Sequence, residues 1–144
     1  MILKLGDPAE IVRFMWQAYA VRDIEGTLLY VSDDVAFAIF IPLDVLPFGG
    51  GETIGKAAFA ERLQMVLDQF DTVQYDGTVL GVSGDTVRGH VEFSFRHKLA
   101  GDVIQGVMRQ VFDVKGGKIT RLHEFHDVER IRAFMKLVSF HTPD

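Results

Sequence analysis

The sequence predicts an α+β fold in which helices come first and pack on one face of a curved antiparallel sheet. Three observations support this. Apolar residues follow a helical period as far as Phe70, then alternate with period two through four consecutive segments. The turn residues Ser83-Gly84-Asp85, Ala100-Gly101-Asp102 and Gly116-Gly117 separate those segments at hairpin spacing. With 144 residues and a 48% hydrophobic fraction, the chain suits one domain over 1–144 that buries about two-thirds of its unfolded surface.

Each element has a local reason. In "GDPAE", Asp7 is a helix cap, Pro8 suits the first helical position and Glu10 completes a capping box. Ile11, Phe14, Met15, Ala18 and Tyr19 then form one apolar stripe. "RDIEG" restarts a short helix capped by Asp23. "VAFAIFI" is β-branched and aromatic, and Pro42 limits its continuation as a strand. After the loop "PFGGGETIG", a third helix carries Phe59, Leu63, Val66, Leu67 and Phe70 on one face. Strands follow in "TVQYDGTVLGV", "TVRGHVEFSFRH", "VIQGVMRQVFDV" and "KITRLHEFHD". A last helix from Val128 to about Val138 shows Ile131, Phe134, Met135 and Val138.

Composition excludes several function classes. The net charge of −5, without a Lys/Arg run, argues against nucleic acid as a partner. The absence of cysteine removes disulfides, thiol catalysis and Cys-type zinc sites, and suits a cytoplasmic location. The N-terminal residues show no signal-peptide core, and the run "VAFAIFIPL" is too short for a membrane span.

Two motifs invite specific chemistry and fail on local grounds. Gly50, Gly55 and Lys56 match the start of a phosphate-binding loop, but Ala57 stands where a magnesium-binding hydroxyl belongs and Glu52 would repel phosphate. "HEFH" resembles a shortened zinc motif, yet on a strand His123 and His126 point to opposite faces, so no metal site is expected. Asp127 reads as the cap of the last helix, and His123 as facing away from any pocket.

Pairing across Gly116-Gly117 as a two-residue turn sets Val111 opposite Leu122, Arg109 opposite Glu124 and Val107 opposite His126. Met108, Gln110 and Phe112 then share the other face with His123 and Phe125. Both faces are mixed, so alternation alone leaves the inner one open. In the preceding strand Val91, Phe93 and Phe95 point in, and His90, Glu92, Ser94 and Arg96 point out.

With these elements in this order, "RDIEGTLLYVSDDVAF", "PFGGGETIGKAAFAERL" and "GGKITRLHEFHDVERI" resemble the nuclear transport factor 2-like superfamily, specifically its SnoaL-like and ketosteroid isomerase-like members. The resemblance implies a cystatin-like α+β barrel, a cone whose sheet wraps N-terminal helices around a deep apolar pocket. Aligned with ketosteroid isomerases, the general-base Asp falls on Ile39, the oxyanion-hole Tyr on Met15 and the oxyanion-hole Asp on Arg109. Aligned with limonene epoxide hydrolase-like enzymes, closest in the last hairpin, the general-acid Asp falls on Glu124. There the strand Arg and Asp fall on Val91 and Phe93, and the water-positioning Tyr and Asn on Phe37 and Ile39.

The resemblance also implies which face is inside. It puts Arg109, Glu124 and His126 in the pocket as candidate catalytic residues, among Ile39, Val91, Phe93, Phe95, Val111 and Leu122, with Met15, Tyr19 and Phe59 from the helices. The Arg109–Glu124 pair has three uses: a self-satisfied pair, a binder of a substrate oxygen, or a proton-transfer device with His126. The expected activity is isomerase, cyclase or lyase chemistry, or epoxide hydrolase-like chemistry, on a hydrophobic oxygenated small molecule, without metal or organic cofactor. The alternative is a non-catalytic ligand-binding or assembly protein of the same fold. A homodimer is expected through the outer sheet face, where His90, Glu92, Ser94 and Gln110 would accompany exposed Met108 and Phe112.

Overall fold

Asp7 starts the first helix by accepting hydrogen bonds from the Ala9 and Glu10 amides at 3.2 and 3.4 Å, with Pro8 in the first helical position. The structure, a computed structural model, describes residues 7–46 and 50–142; residues 47–49 of the predicted glycine-rich loop lie outside the described residues. Helix α1 spans Pro8–Ala20. Glu10 turns to Arg13, one turn on, and leaves the expected capping box incomplete. Helix α2, Ile24–Leu28, is capped by Asp23 through the Gly26 amide.

Between these helices Arg22 adopts φ 62°, a left-handed conformation that Cβ-bearing residues disfavour. Its guanidinium donates to the Leu67 and Phe70 carbonyls at 2.7 and 2.9 Å, satisfying the end of helix α3 (Lys56–Gln69). That contact holds the α1–α2 turn against α3.

Six strands form one sheet: β1 Val31–Phe40, β2 Thr53–Ile54, β3 Phe70–Ser83, β4 Thr86–His97, β5 Val103–Lys115 and β6 Lys118–Phe125. Their order is β2-β1-β6-β5-β4-β3. The sheet is curved, unclosed and mixed, because β1 runs parallel to β6 while every other pair is antiparallel. This corrects the expected all-antiparallel sheet. β1 begins four residues before the apolar run that signalled it, and the two-residue β2 carries no period to read. Register shifts in β3, at Thr72/Gln74 and Val79/Gly81, bend the long β3–β4 ribbon. Asp127 caps helix α4 (Val128–His141) by accepting from the Arg130 amide at 3.2 Å. Among the described residues no helix is long and apolar enough to cross a membrane.

The β5–β6 hairpin contains the main departure from the expected register. Gly116 and Gly117 both have positive φ, as a two-residue turn requires, and Lys115–Lys118 and Val114–Ile119 pair as expected. Thr120 is then an extra residue: Asp113 pairs with Arg121, and its carbonyl accepts from the Thr120 hydroxyl at 3.3 Å. Beyond this bulge Phe112 faces Leu122, Val111 faces His123, Gln110 faces Glu124 and Arg109 faces Phe125. A one-residue slip moves every side chain of β5 to the other face relative to β6. Met108, Gln110 and Phe112 therefore point inward and are buried, whereas Val107 and Arg109 are exposed on the outer face.

Helix α1 packs on the concave face chiefly through Trp16, whose indole lies on the strand backbones at Gly77 and Gly89. A Cβ at Gly89 would sit 2.5 Å from the indole and 2.8 Å from the Thr78 carbonyl oxygen. Gly89→Ala is expected to lower stability by about 1–3 kcal/mol, the usual cost of overpacking. A smaller loss is expected in a Trp16→Leu background, where one clash is gone. Urea denaturation of the two single variants and the double variant measures this, and additive losses would show that the indole is not what excludes the methyl group.

Candidate functional site

The concave face and the helices enclose a cavity that opens to solvent at one mouth. Met15 and Tyr19 reach it from α1, Phe37 and Ile39 from β1, Phe93 and Phe95 from β4, and Leu122 from β6. Ile131, Phe134 and Met135 of α4 wall its far side. The lining is overwhelmingly hydrocarbon and aromatic, so its few polar groups define its chemistry.

Those groups form one chain of hydrogen bonds. Trp16 Nε1 donates to Gln110 Oε1 at 2.7 Å, and Gln110 Nε2 donates to Glu124 Oε1 at 2.7 Å. His126 Nε2 lies 2.8 Å from Glu124 Oε2. An indole N–H can only donate, which fixes the carbonyl end of the Gln110 amide toward Trp16. The NH2 end must then face Glu124, whose Oε1 can only accept. An ionised Glu124 accepts a hydrogen bond from the proton on His126 Nε2, and in the neutral ring Nδ1 is then an acceptor. The side chains of His126 and Glu124 are 8% and 13% exposed, so this pair is shielded from bulk water. The edge of the His126 ring meets Phe93 at a centroid distance of 5.8 Å.

Two phenols and the Arg62 guanidinium complete the polar set. The rings of Tyr19 and Tyr75 lie 4.9 Å apart, and both line the cavity. Burial first, and the Glu124 carboxylate second, push the pKa of both upward. At Tyr75 the neighbouring Tyr19 adds to the rise, and a hydrogen bond with Gln110 opposes it; at Tyr19 Arg22 opposes it. Both are therefore neutral O–H donors over the ordinary pH range.

Several expected positions need correction. Arg109 is exposed on the outer face, and Val111 also points outward; the Thr120 bulge is the cause of both. Phe59 and Val91 are fully buried but do not line the cavity: Phe59 packs behind Phe37 at a ring distance of 4.4 Å. Met108, Gln110 and Phe112 are interior and Ser94 is buried, so these four do not form the exposed outer surface expected of them. His123 does face away, toward Glu52 at 2.7 Å and the Phe40 ring.

Trp16, Tyr75, Gln110 and Arg62 all line the cavity, though Gln110 was expected on the outer face and the other three were not among the expected pocket residues. Two signals pointed to the first and third. Gly77 and Gly89 interrupt strands that face α1, as glycines do where a bulky group approaches the backbone. In β5 the series Ile104, Met108, Phe112 and Val114 is the more uniformly apolar, and Gln110 belongs to it.

A family model described as a SnoaL-like domain matches residues 11–122. Solved structures share the shape at low identity. A protein from Rhodopseudomonas palustris described as a "putative isomerase" is 23% identical with a TM-score of 0.75, over 88% of this chain and 93% of that one. A "putative polyketide cyclase" from Xanthomonas campestris is 21% identical with a TM-score of 0.73, over 89% and 96%. TerC, co-crystallised with polyporic acid, is 21% identical with a TM-score of 0.71, over 90% and 98%. No curated protein matches the sequence.

Glu124→Gln tests the directionality of the hydrogen-bond chain. Because Gln110 presents a donor, the introduced amide must turn its oxygen to Gln110 and its NH2 to His126. His126 Nε2 then has to accept, and the ring proton moves to Nδ1. Nitrogen NMR shifts of the His126 ring are expected to show this tautomer switch, and an unchanged Nε2–H tautomer would contradict the chain.

The phenols give a pH prediction with a definite sign. Their folded pKa values lie above the unfolded value of about 10, so their contribution to stability is complete below that pH. It is lost as pH rises further, at up to about 1.4 kcal/mol per unit for each phenol held neutral. Tyr19→Phe/Tyr75→Phe is expected to flatten this alkaline decline, as followed by denaturation midpoints across the alkaline range.

Proposed function

The chain belongs to the SnoaL-like domain family within the nuclear transport factor 2-like superfamily, and from that premise we propose that it moves a proton on a hydrophobic, oxygenated small molecule. The reaction is an isomerisation, cyclisation or elimination carried by the chain's own side chains, with His126 as the proton carrier. The observation that carries this reading is the commitment of both Glu124 oxygens, one to Gln110 and one to His126. Glu124 is thereby a positioning residue, and His126 Nδ1, with no hydrogen bond to the described residues, is the group left to meet a ligand. The isomerase and polyketide cyclase names carried by structural neighbours, and the acid co-crystallised with TerC, agree with a small-molecule pocket of this kind.

In the proposed step, Nδ1 takes a proton from a carbon beside a ligand carbonyl, and the electron pair moves onto the carbonyl oxygen as an enolate. The neutral phenols of Tyr19 and Tyr75 donate hydrogen bonds to that oxygen, and the apolar walls strengthen them by keeping water away. His126 then returns the proton to the same or another carbon, or the carbanion attacks a second carbonyl within the ligand and the alkoxide that forms takes the proton back from His126. The carboxylate beside Nε2 steadies the imidazolium that forms between the two transfers, much as in a carboxylate–histidine dyad.

Deuterium uptake from heavy water into the C–H beside the carbonyl of tetralone, followed by proton NMR, tests this. Wild type is expected to catalyse the exchange. His126→Ala is expected to lose about 10²–10⁴-fold while still binding tetralone in a thermal-shift titration. A wild-type protein that binds tetralone and exchanges nothing would support the non-catalytic ligand-binding role instead.

A further inference from the structure

Arg62 of α3 is half-buried and lines the cavity beside Leu63 and Val66; among the described lining residues it is the one arginine or lysine. Its guanidinium carbon stands 5.9 Å from the centre of the Phe37 ring, a cation–π distance. Phe37 is itself fixed, being 2% exposed and packed on Phe59, so the guanidinium has a defined aromatic neighbour on the wall.

That place can be related to the proton-transfer end. Phe37 pairs with Leu122 and Ile39 pairs with Glu124, and all four side chains line the cavity. Two residues along a strand span roughly 7 Å. The ring beside Arg62 is therefore displaced along β1, by about the length of one ring, from the residue that pairs with Glu124.

We propose that Arg62 makes the cavity selective for apolar acids, its guanidinium taking the ligand's carboxylate while the ligand's carbonyl-bearing end lies at His126. In the opposite orientation the ligand's carboxylate would face the Glu124 carboxyl group, both of whose oxygens are already engaged. A planar guanidinium meets a carboxylate through two parallel hydrogen bonds, and water exclusion by the walls strengthens them. The substrate class is thus a keto acid of one or two rings with a hydrocarbon body. The placement of the carbonyl end rests on the proton-transfer reading above; the selectivity for an acid does not.

Benzoylpropionic acid and its primary amide form a suitable pair, since both carry an exchangeable C–H beside a ketone and differ only at the far end. Calorimetric titrations use the full chain as wild type, Arg62→Met and Arg62→Lys. Wild type is expected to prefer the acid by about tenfold or more. Arg62→Met is expected to lose that preference while amide affinity changes little, and Arg62→Lys, keeping the charge without the fork, to retain part of it. The acid-to-amide ratio is taken within each variant, so a loss of stability does not imitate the result. Equal wild-type affinities, failure of the acid to bind, or a preference that survives in Arg62→Met would each overturn the proposal. If tetralone exchanges its proton while the acid has no advantage, only the role of Arg62 fails. If the Arg62-dependent preference is present and no ligand exchanges a proton, the selectivity stands and only the catalytic reading fails.

Discussion

The placement of the Trp16 indole on two strand glycines is the contact on which the rest of this structure depends. Gly77 and Gly89 remove the side chains that would otherwise hold α1 away from the sheet. The indole settles against the backbone, meets Phe112 edge-on at 5.8 Å, and sends its one donor to Gln110. An apolar packing decision is thereby converted into a polar orientation. Everything beyond Gln110, including the direction of each hydrogen bond to Glu124 and His126, follows from a group that can donate and cannot accept.

A polar chain inside a hydrocarbon cavity is costly unless each member is satisfied. Here the Gln110 oxygen, one of its amide protons and both Glu124 oxygens have partners. The two tyrosines are kept neutral by the same surroundings, so the cavity contains few charges. Neighbours with identities below a quarter share this cone. The fold supplies the enclosure, and the interior residues set the chemistry. At Met15 and Ile39, where the ketosteroid isomerase alignment expects a phenol and a carboxylate, this chain has apolar side chains.

Much of this fold is legible in the sequence. The helix starts at Asp7, Asp23 and Asp127 follow from capping chemistry, and the hairpin at Gly116-Gly117 follows from the positive φ values its turn demands. The face of β5 was not legible. Thr120 sits in "ITRL", an ordinary strand sequence, and nothing local marks it as the residue that leaves the ladder. From that one residue came the misplacement of Arg109 and Val111 in the pocket and of Gln110 on the outer face. The parallel β1–β6 pairing and the approach of Arg62 to Phe37 join segments far apart in sequence, which periodicity cannot report. Glu124 and His126 came from the resemblance to SnoaL-like and ketosteroid isomerase-like proteins rather than from alternation, and both line the cavity.

The bulge also changes what a difference between relatives would mean. β5 carries two different rows of side chains on its two faces: Met108, Gln110 and Phe112 on one, Val107, Arg109 and Val111 on the other. A single inserted residue in the neighbouring strand selects which of them meets Glu124. Gain or loss of one codon in β6 is then equivalent to replacing a whole row of the pocket wall at once. In this hairpin strand length acts as a switch between two sets of cavity side chains, and a comparison of relatives that counts substitutions alone would record such a change as a single gap.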